Sequence, residues 1–534
     1  MNTNKQKNRT DFIEQPTFEG AVPAELSADY ILPDIYPDVK KLLRVTARPV
    51  LIGRFVSGKR LEFTGAVDYL VLFSAESENG DSLHSVHFSG EWNSSVGDLD
   101  DLERSDIYIS PNVTSCTARP SNPRKLSIRC TVASDVKITK SCPCDLNILG
   151  AKSPSEELTL EKLTETVPMR TLRTFIAEPL RMSENIELDP TLPSIDEIIS
   201  CTVNLHIYEA KPRIDGPSMT VALKGTAFAD CIYKSLSEPL SYRSFSKGIP
   251  VSCTVNADEY AEHFGNCPPD SLFAKVTAVP VEINAEVGED SYCERRIVEL
   301  DMTADLNVRL LGSAQSPLTL DAYSTARTSE CTFTSITTTL QARTASTNFS
   351  VSETVPKENL ILPDTAVVLD GSAAVSPLKL SLERGRSVLT GSATISCIYT
   401  SEAALSSAEA VIPLRFELNI GEVSERTAHI CDAVSSGVRC TVRDGALSVD
   451  FEACISAEVW ERSDREILDS ITLTDTPSVS HGGADITLCY PTKSESMWNI
   501  AKRYSTTSAA IEAANSGGAR VLMIPHTAPK SFVI

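Results

Sequence analysis

The segments LEFTGAVDYLVLF (61–73), VALKGTAFADCIY (221–233) and SVLTGSATISCIY (387–399) each set a glycine eight residues ahead of an aromatic, with apolar side chains recurring at every second position between them. The glycines, Gly65, Gly225 and Gly391, lie 160 and 166 residues apart. That interval is the size of a domain, so the chain reads as duplicated domains and not as a solenoid of short units. Side chains two apart on a strand share a face. Val67, Tyr69, Val71 and Phe73 in the first copy, and Ala227, Ala229, Cys231 and Tyr233 in the second, therefore each offer one face to a core. Two readings of the glycine stay open: a bulge or close backbone approach, or a strand entry after a turn.

Each copy has a second alternating run downstream: LSIRCTVASDVKI (126–138), VELDMTADLNVRLL (298–311) and LSVDFEACISAEVW (447–460). Long strands with little helical periodicity between them predict antiparallel sandwiches or barrels. Upstream, LPDIYPDVKKLLRV (32–45) and LPSIDEIISCTV (192–203) follow a proline with acids and then apolar residues at helical spacing, such as Val39, Leu42 and Leu43. This predicts a short helix or turn leading into the first strand. The third copy keeps the Leu-Pro-Asp start in ILPDTAVVLDGSA without the helical part. The expected layout is mainly β: a disordered tail over 1–25, three tandem antiparallel β-sandwich or barrel-like domains over 26–145, 185–312 and a divergent 345–475, and a small C-terminal βααβ unit over 486–534.

At 534 residues the chain exceeds one hydrophobic core. No apolar run approaches the ~20 residues that span a bilayer, and the polar start, MNTNKQKNRTDFIEQPTFEG, has no apolar core segment of a signal peptide. A cytoplasmic location is expected. The net charge of −22 repels phosphate backbones and anionic lipid, so nucleic acid is not expected as a partner. Residues 486–534 carry five basic residues (Lys493, Lys502, Arg503, Arg520, Lys530) against Glu495 and Glu512, a local excess of +3 on an acidic body. That asymmetry suits an acidic partner or is a solvated face. Most of the fifteen cysteines sit inside alternating apolar runs, as core thiols of a reducing compartment do.

The stretch SESMWNIAKRYSTTSAAIEAAN (494–515) breaks the β pattern. Met497, Ile500, Ala501 and Tyr504 fall on one face of a helix. Ser508 is placed to cap a second helix through Asn515 that buries Ala510, Ile511 and Ala514 before SGG stops it. Leu488 and Tyr490 precede the pair and Val521, Leu522 and Ile524 follow it, giving a β-α-α-β unit over 486–525. Trp498, Ile500, Tyr504, Ile511 and Ile524 are the expected core of so small a unit.

No nucleophile or phosphate signature is present: there is no Gly-x-x-x-x-Gly-Lys-Ser/Thr, Gly-x-Ser-x-Gly or His-Glu-x-x-His. His84 and His87 stand three apart in an expected strand, which sends their rings to opposite faces. Cys142 and Cys144 lack a second pair at ligand spacing, and Asp100, Asp101 and Glu103 read as a solvated charge run. The chain is read as non-enzymatic, with no cofactor and no metal.

Two resemblances organise these observations. Leu-Pro-Asp-Ile-x-Pro-Asp, an apolar stretch and then glycine leading to Ile-Tyr resembles the SPOCS (spore coat and sporulation) domain of endospore-forming Firmicutes, well in the first two copies and partly in the third. SMWNIAKRY, a Thr-Thr-Ser turn, IEAAN and a closing LMIP resemble a LysM domain. Together they resemble clostridial coat-morphogenesis proteins, which implies a structural adaptor whose partner is the morphogenetic ATPase of the coat basement layer. LysM resemblance also implies a groove for N-acetylglucosamine glycans between the loop before the first helix and the loop after the second. Its candidate residues here are Ser494, Glu495, Ser496, Met497 and Asn515, and peptidoglycan is the alternative partner. Ser494 and Glu495 stand where LysM domains usually have Gly-Asp. A β-carbon there restricts backbone approach, which weighs against glycan binding.

Overall fold

The computed structural model describes residues 12–526 apart from 79, 100–101, 103, 144–145, 152–158, 238–240, 340–341, 357–359, 361, 364, 403, 422, 479–484, 493–494 and 516–520. The chain is mainly β and its sheets are antiparallel throughout, apart from one short parallel pairing. Three successive stretches repeat one plan. The first comprises β1 (Phe12–Ile31), β2 (Lys41–Ser57), β3 (Arg60–Ser77), β4 (Gly80–Val96), β5 (Ser105–Asn122) and β6 (Lys125–Pro143), in sheets ordered β1-β6-β5 and β2-β3-β4. One core closes the two sheets, with Phe63, Val67, Tyr69, Val71 and Phe73 from β3 facing Ile128, Cys130, Val132 and Val136 from β6. After a short β7 (Asn147–Leu149), the plan recurs in β8 (Leu160–Ile176), β9 (Leu180–Glu187), β10 (Ile195–Asp215), β11 (Ser218–Ser235), β12 (Tyr242–Asn256), β13 (Phe273–Gly288) and β14 (Ile297–Ser324). The sheets are β10-β11-β12 and β13-β14 with β8 and β9 sharing the far side of β14.

The third stretch runs through β15 (Arg327–Thr339), β16 (Arg343–Val355), β17 (Val367–Val375), β18 (Lys379–Glu383), β19 (Arg386–Ser401), β20 (Ala404–Glu417), β21 (Thr427–Arg443) and β22 (Ala446–Pro477). Here β19 is flanked by β17 and β18 on one side and β20 on the other, while β22 carries β16, β15 and β21. β23 (Ile486–Cys489) and β24 (Leu522–Pro525) form a separate two-stranded sheet around two short helices. Among the described residues no helix is long and apolar enough to cross a membrane.

The repeat glycines sit inside the central strands, opposite irregularities in the neighbouring strand. Gly65 pairs with Leu51 and Gly225 with Ile207, each beside a bulge. A β-carbon on Gly65 would lie 2.3 Å from the Val50 carbonyl oxygen, and one on Gly225 would lie 2.6 Å from that of His206. At Gly391 the neighbouring strand breaks altogether between β17 and β18, and the nearest atom is Leu378 Cδ2 at 2.5 Å. Close backbone approach therefore requires Gly65 and Gly225, a side-chain contact crowds Gly391, and none marks a strand entry.

A second bulge recurs in all three stretches, at Leu43, Ile199 and Leu369. It turns one extra apolar side chain away from each sandwich core. These three meet Leu72, Ile232 and Ile398, each seven residues past its repeat glycine, in a shared apolar cluster with Leu83 and Leu405. The contacts close a ring in which β4 lies beside β10, β12 beside β17 and β20 beside β2. Polar contacts follow the same cycle: Ser85 Oγ donates to the Ile199 carbonyl, Ser244 Oγ donates to that of Leu369 at 2.7 Å, and Asp81 accepts from the Leu405 amide at 3.0 Å.

Two expectations change. Residues 12–25, expected in a disordered tail, belong to β1, which pairs along its length with β6. Of the helix or turn expected at 32–45 the structure has the turn, closed by Tyr36 N–H on the Pro33 carbonyl at 3.0 Å and leading into β2. Likewise β10 begins at Ile195 within the segment 192–203. Strands also fill the intervals left between the expected domains, where β8 precedes residue 185, β9 begins before it and β15 precedes residue 345.

Candidate functional site

The C-terminal module builds from its caps. Ser496 Oγ accepts from the Asn499 amide at 3.2 Å and starts the first helix, Met497–Arg503, whose last turn carries Lys502 and Arg503 against the carbonyl end of the helix dipole. The second helix, Ser508–Ala514, is capped by Thr507, which accepts from the Ala510 amide at 3.0 Å, so the cap lies one residue before Ser508. Ile500, Ala501, Ile511, Leu522, Ile524 and Cys489 make the core. On β23 Cys489 points inward, and Leu488 and Tyr490 are exposed.

Of the candidate groove residues, Ser494 lies outside the described residues, as does most of the second loop, 516–520. Glu495 is tied to Arg503 by a 2.9 Å ion pair. Ser496 is consumed as the cap, and Met497 packs half-buried on the module core. Asn515 is a clamp: its Nδ2 donates to the carbonyls of Ile511 at 2.7 Å and Met523 at 2.8 Å, and its Oδ1 accepts from the Met523 amide at 2.8 Å. Both amide donors are thus spent on holding the second helix to β24.

Trp498 and Tyr504 are half-buried, unlike Ile500, Ile511 and Ile524, and Trp498 faces the body of the protein. Its ring meets Tyr323 edge-on at 4.9 Å, and its Nε1 donates to Asp321 Oδ2 at 2.8 Å. Lys502 Nζ reaches both Asp321 oxygens at 2.7 and 2.8 Å, and Tyr323 Oη donates to the Thr506 carbonyl at 2.7 Å. Asp321 and Tyr323 stand near the end of β14, where LTLDAYS prolongs the alternation beyond the run read from sequence. The indole is a seam residue between module and body, not a member of the module's own interior. Replacing Asp321 by alanine is expected to weaken docking by about 2 kcal/mol, read as faster amide exchange at the seam residues Trp498–Lys502 in an otherwise protected protein.

A second constellation lies where the three repeated stretches converge. Arg309 on β14 donates through Nε to Glu458 Oε2 on β22 at 2.7 Å and lies 3.6 Å from Asp106 on β5. Arg170 on β8 faces Glu458 and Glu14, each at 3.8 Å, with its guanidinium 4.9 Å from the Trp460 ring. Glu14 also accepts from the Leu172 amide at 2.6 Å, and Thr174 Oγ1 donates to Asp106 at 2.8 Å. The first and third stretches supply the carboxylates and the second the guanidinium groups. The side chains of Glu14, Arg170, Arg309 and Glu458 are all 5% exposed or less. This hub was hidden in the sequence because Arg309 and Glu458 hold equivalent polar positions of the downstream runs, which read as solvent-facing.

Burial pushes the Glu14 carboxyl up to about 7, against the opposing pull of Arg170. A folded value above the unfolded one means that the proton favours the native state. The stabilisation is complete below about pH 4.5 and is lost as pH rises through 7. Relative to Glu14→Gln, the wild type is expected to lose about 3 kcal/mol between pH 4.5 and pH 8, measured by urea unfolding of both proteins across that range.

The remaining chemistry is sparse. His84 and His87 stand on opposite faces of β4, with His84 stacked on Phe73 at 5.6 Å. Cys144 and Asp100, Asp101 and Glu103 lie outside the described residues. No three metal-ligating side chains converge among the described residues. A cleft of about 570 Å³ opens in the second stretch between Phe175–Leu180 and Cys253–Tyr260. Of its three acids, Glu178, Asp258 and Glu259, Asp258 is already held by Ser218, the Met219 amide and Asn256. No protein-family model, curated protein or solved structure matches the chain.

Proposed function

We propose that the chain is a non-enzymatic structural adaptor of spore coat assembly, working in the mother-cell cytoplasm at the forespore surface. In this reading its three β stretches are SPOCS-like domains and its C-terminal module is a LysM-like unit. The module and β body together bind a protein of the coat basement layer, the morphogenetic ATPase. The observation that carries the reading is the commitment of the groove side chains. Glu495 is occupied by Arg503 and Asn515 by backbone groups, so the polar atoms that would hold a sugar are spent inside the module. The clasp on Asp321 and Tyr323 further supports a module held in fixed orientation on a scaffold.

The test sets two captures side by side. Full-length protein is expected to retain the basement-layer ATPase on an affinity column and to stay in the supernatant when mixed with insoluble peptidoglycan. Sedimentation with peptidoglycan, without ATPase capture, would replace this reading with a glycan-binding one.

A further inference from the structure

Two cysteine pairs stand directly opposite each other across strand ladders. Cys201 on β10 faces Cys231 on β11, with the sulfurs in 2.8 Å contact. Cys116 on β5 faces Cys130 on β6, and their thiols are likewise hydrogen-bonded. Directly opposed residues of an antiparallel pair have Cα atoms about 4.5–5.5 Å apart, inside the range that a disulfide spans. Each pair joins an edge strand to the central strand of its sheet, and in each the edge cysteine is half-exposed while the central one is buried. All four are free thiols. By contrast, Cys253 faces Leu223 and Cys331 faces Ile471.

We propose that Cys201–Cys231 and Cys116–Cys130 are paired redox sites, kept as thiols where the chain is made and closed into cross-strand disulfides when the protein meets a peroxide. In each pair one thiolate attacks a peroxide oxygen, the O–O bond breaks, and water leaves a sulfenic acid behind. The partner thiol then attacks that sulfur, forming the S–S bond and breaking the S–O bond with loss of a second water. Two thiols and one hydrogen peroxide become one disulfide and two waters, and a thiol reductant reverses the change. The hydrogen bond that Cys231 donates to Cys201, together with burial, holds the Cys231 thiol well above its ordinary range, so closure there is slow. The Cys201–Cys231 pair thus acts as a gradual staple and not as a fast sensor, whereas in the other pair the hydrogen bond from Cys116 lowers the Cys130 thiol below its ordinary range. Closing both pairs restricts the unfolded chain and ties each edge strand down, which resists unfolding.

The test uses the full-length reduced protein, titrated with hydrogen peroxide, quenched, alkylated under denaturing conditions and mapped by mass spectrometry. Peptides linked through Cys116–Cys130 and Cys201–Cys231 are expected, with Cys253 and Cys331 still alkylated. The unfolding midpoint is expected to rise by about 5 °C and to fall back with dithiothreitol. Cys201→Ser should lose the second linkage and keep the first, and Cys116→Ser the reverse. Four alkylated or sulfinic cysteines at these positions, or linkages joining them to other cysteines, would overturn the proposal.

Discussion

Glu458→Ala is expected to destabilise the whole protein by about 3–5 kcal/mol, measured by chemical denaturation at pH 7. Glu458 is fully buried and binds the Arg309 guanidinium at 2.7 Å, with Arg170 on its other oxygen at 3.8 Å. Removing it leaves two guanidinium groups in a space with little water, and neither can shed its charge as a carboxylate does. The same logic predicts a contrast. Exchanging Glu458 and Arg309 together for leucine and methionine, similar in volume and without charge, is expected to restore most of the loss. The exposed ion pair Arg386–Glu417 serves as the control, because its side chains are 70% and 48% accessible and Glu417→Ala is expected to cost under about 1 kcal/mol.

Gly225→Ala is the second large effect, with an expected loss of about 3 kcal/mol. The added methyl would meet the His206 carbonyl oxygen at 2.6 Å, a backbone atom fixed by the β10–β11 ladder. Gly65→Ala should be at least as costly, because both a carbonyl oxygen and the Trp92 ring lie within 2.5 Å. Gly391→Ala should cost least, since its nearest obstacle is the mobile end of Leu378. Thermal unfolding of the three variants under one buffer gives the order directly. Equal losses at all three would show that strand conformational entropy, not backbone approach, sets the need for glycine.

The central strands were legible because each buries one face and keeps an unbroken alternation, as Val67 to Phe73 and Ala227 to Tyr233 do. β1 was not. It is an edge strand interrupted by Pro16 and Pro23 and rich in acids, a composition that edges tolerate and that sequence reading assigns to loops. The helical spacing upstream of the glycines, which left helix and turn both open, has a specific cause. A bulge places two neighbouring apolar residues on different sides of the strand, Leu42 toward the sandwich core and Leu43 toward the three-way cluster. The resulting spacing of Val39, Leu42 and Leu43 imitates helical periodicity. Ile198 and Ile199 repeat the trick.

Within the C-terminal module, the helices and the core positions Ile500, Ile511 and Ile524 followed from periodicity, because a small unit has only one interior to fill. The role of Trp498 did not follow. A half-apolar ring with one N–H donor suits a core, a ligand face or an interface equally well, and only the position of Asp321, 177 residues earlier, selects the last. The charged hub shows the same limit from the other side. Polar positions on the outer face of a sheet give no sign that another sheet covers them.

Native-state amide exchange tests the central claim, that the three β stretches form one body joined through the buried hub. Amides of β5, β14 and β22 around Asp106, Arg309 and Glu458 are expected to exchange with one common opening free energy, and Glu458→Ala is expected to lower it equally in all three strands. Three different opening energies, with the substitution affecting β22 alone, would show instead that the stretches fold as independent units.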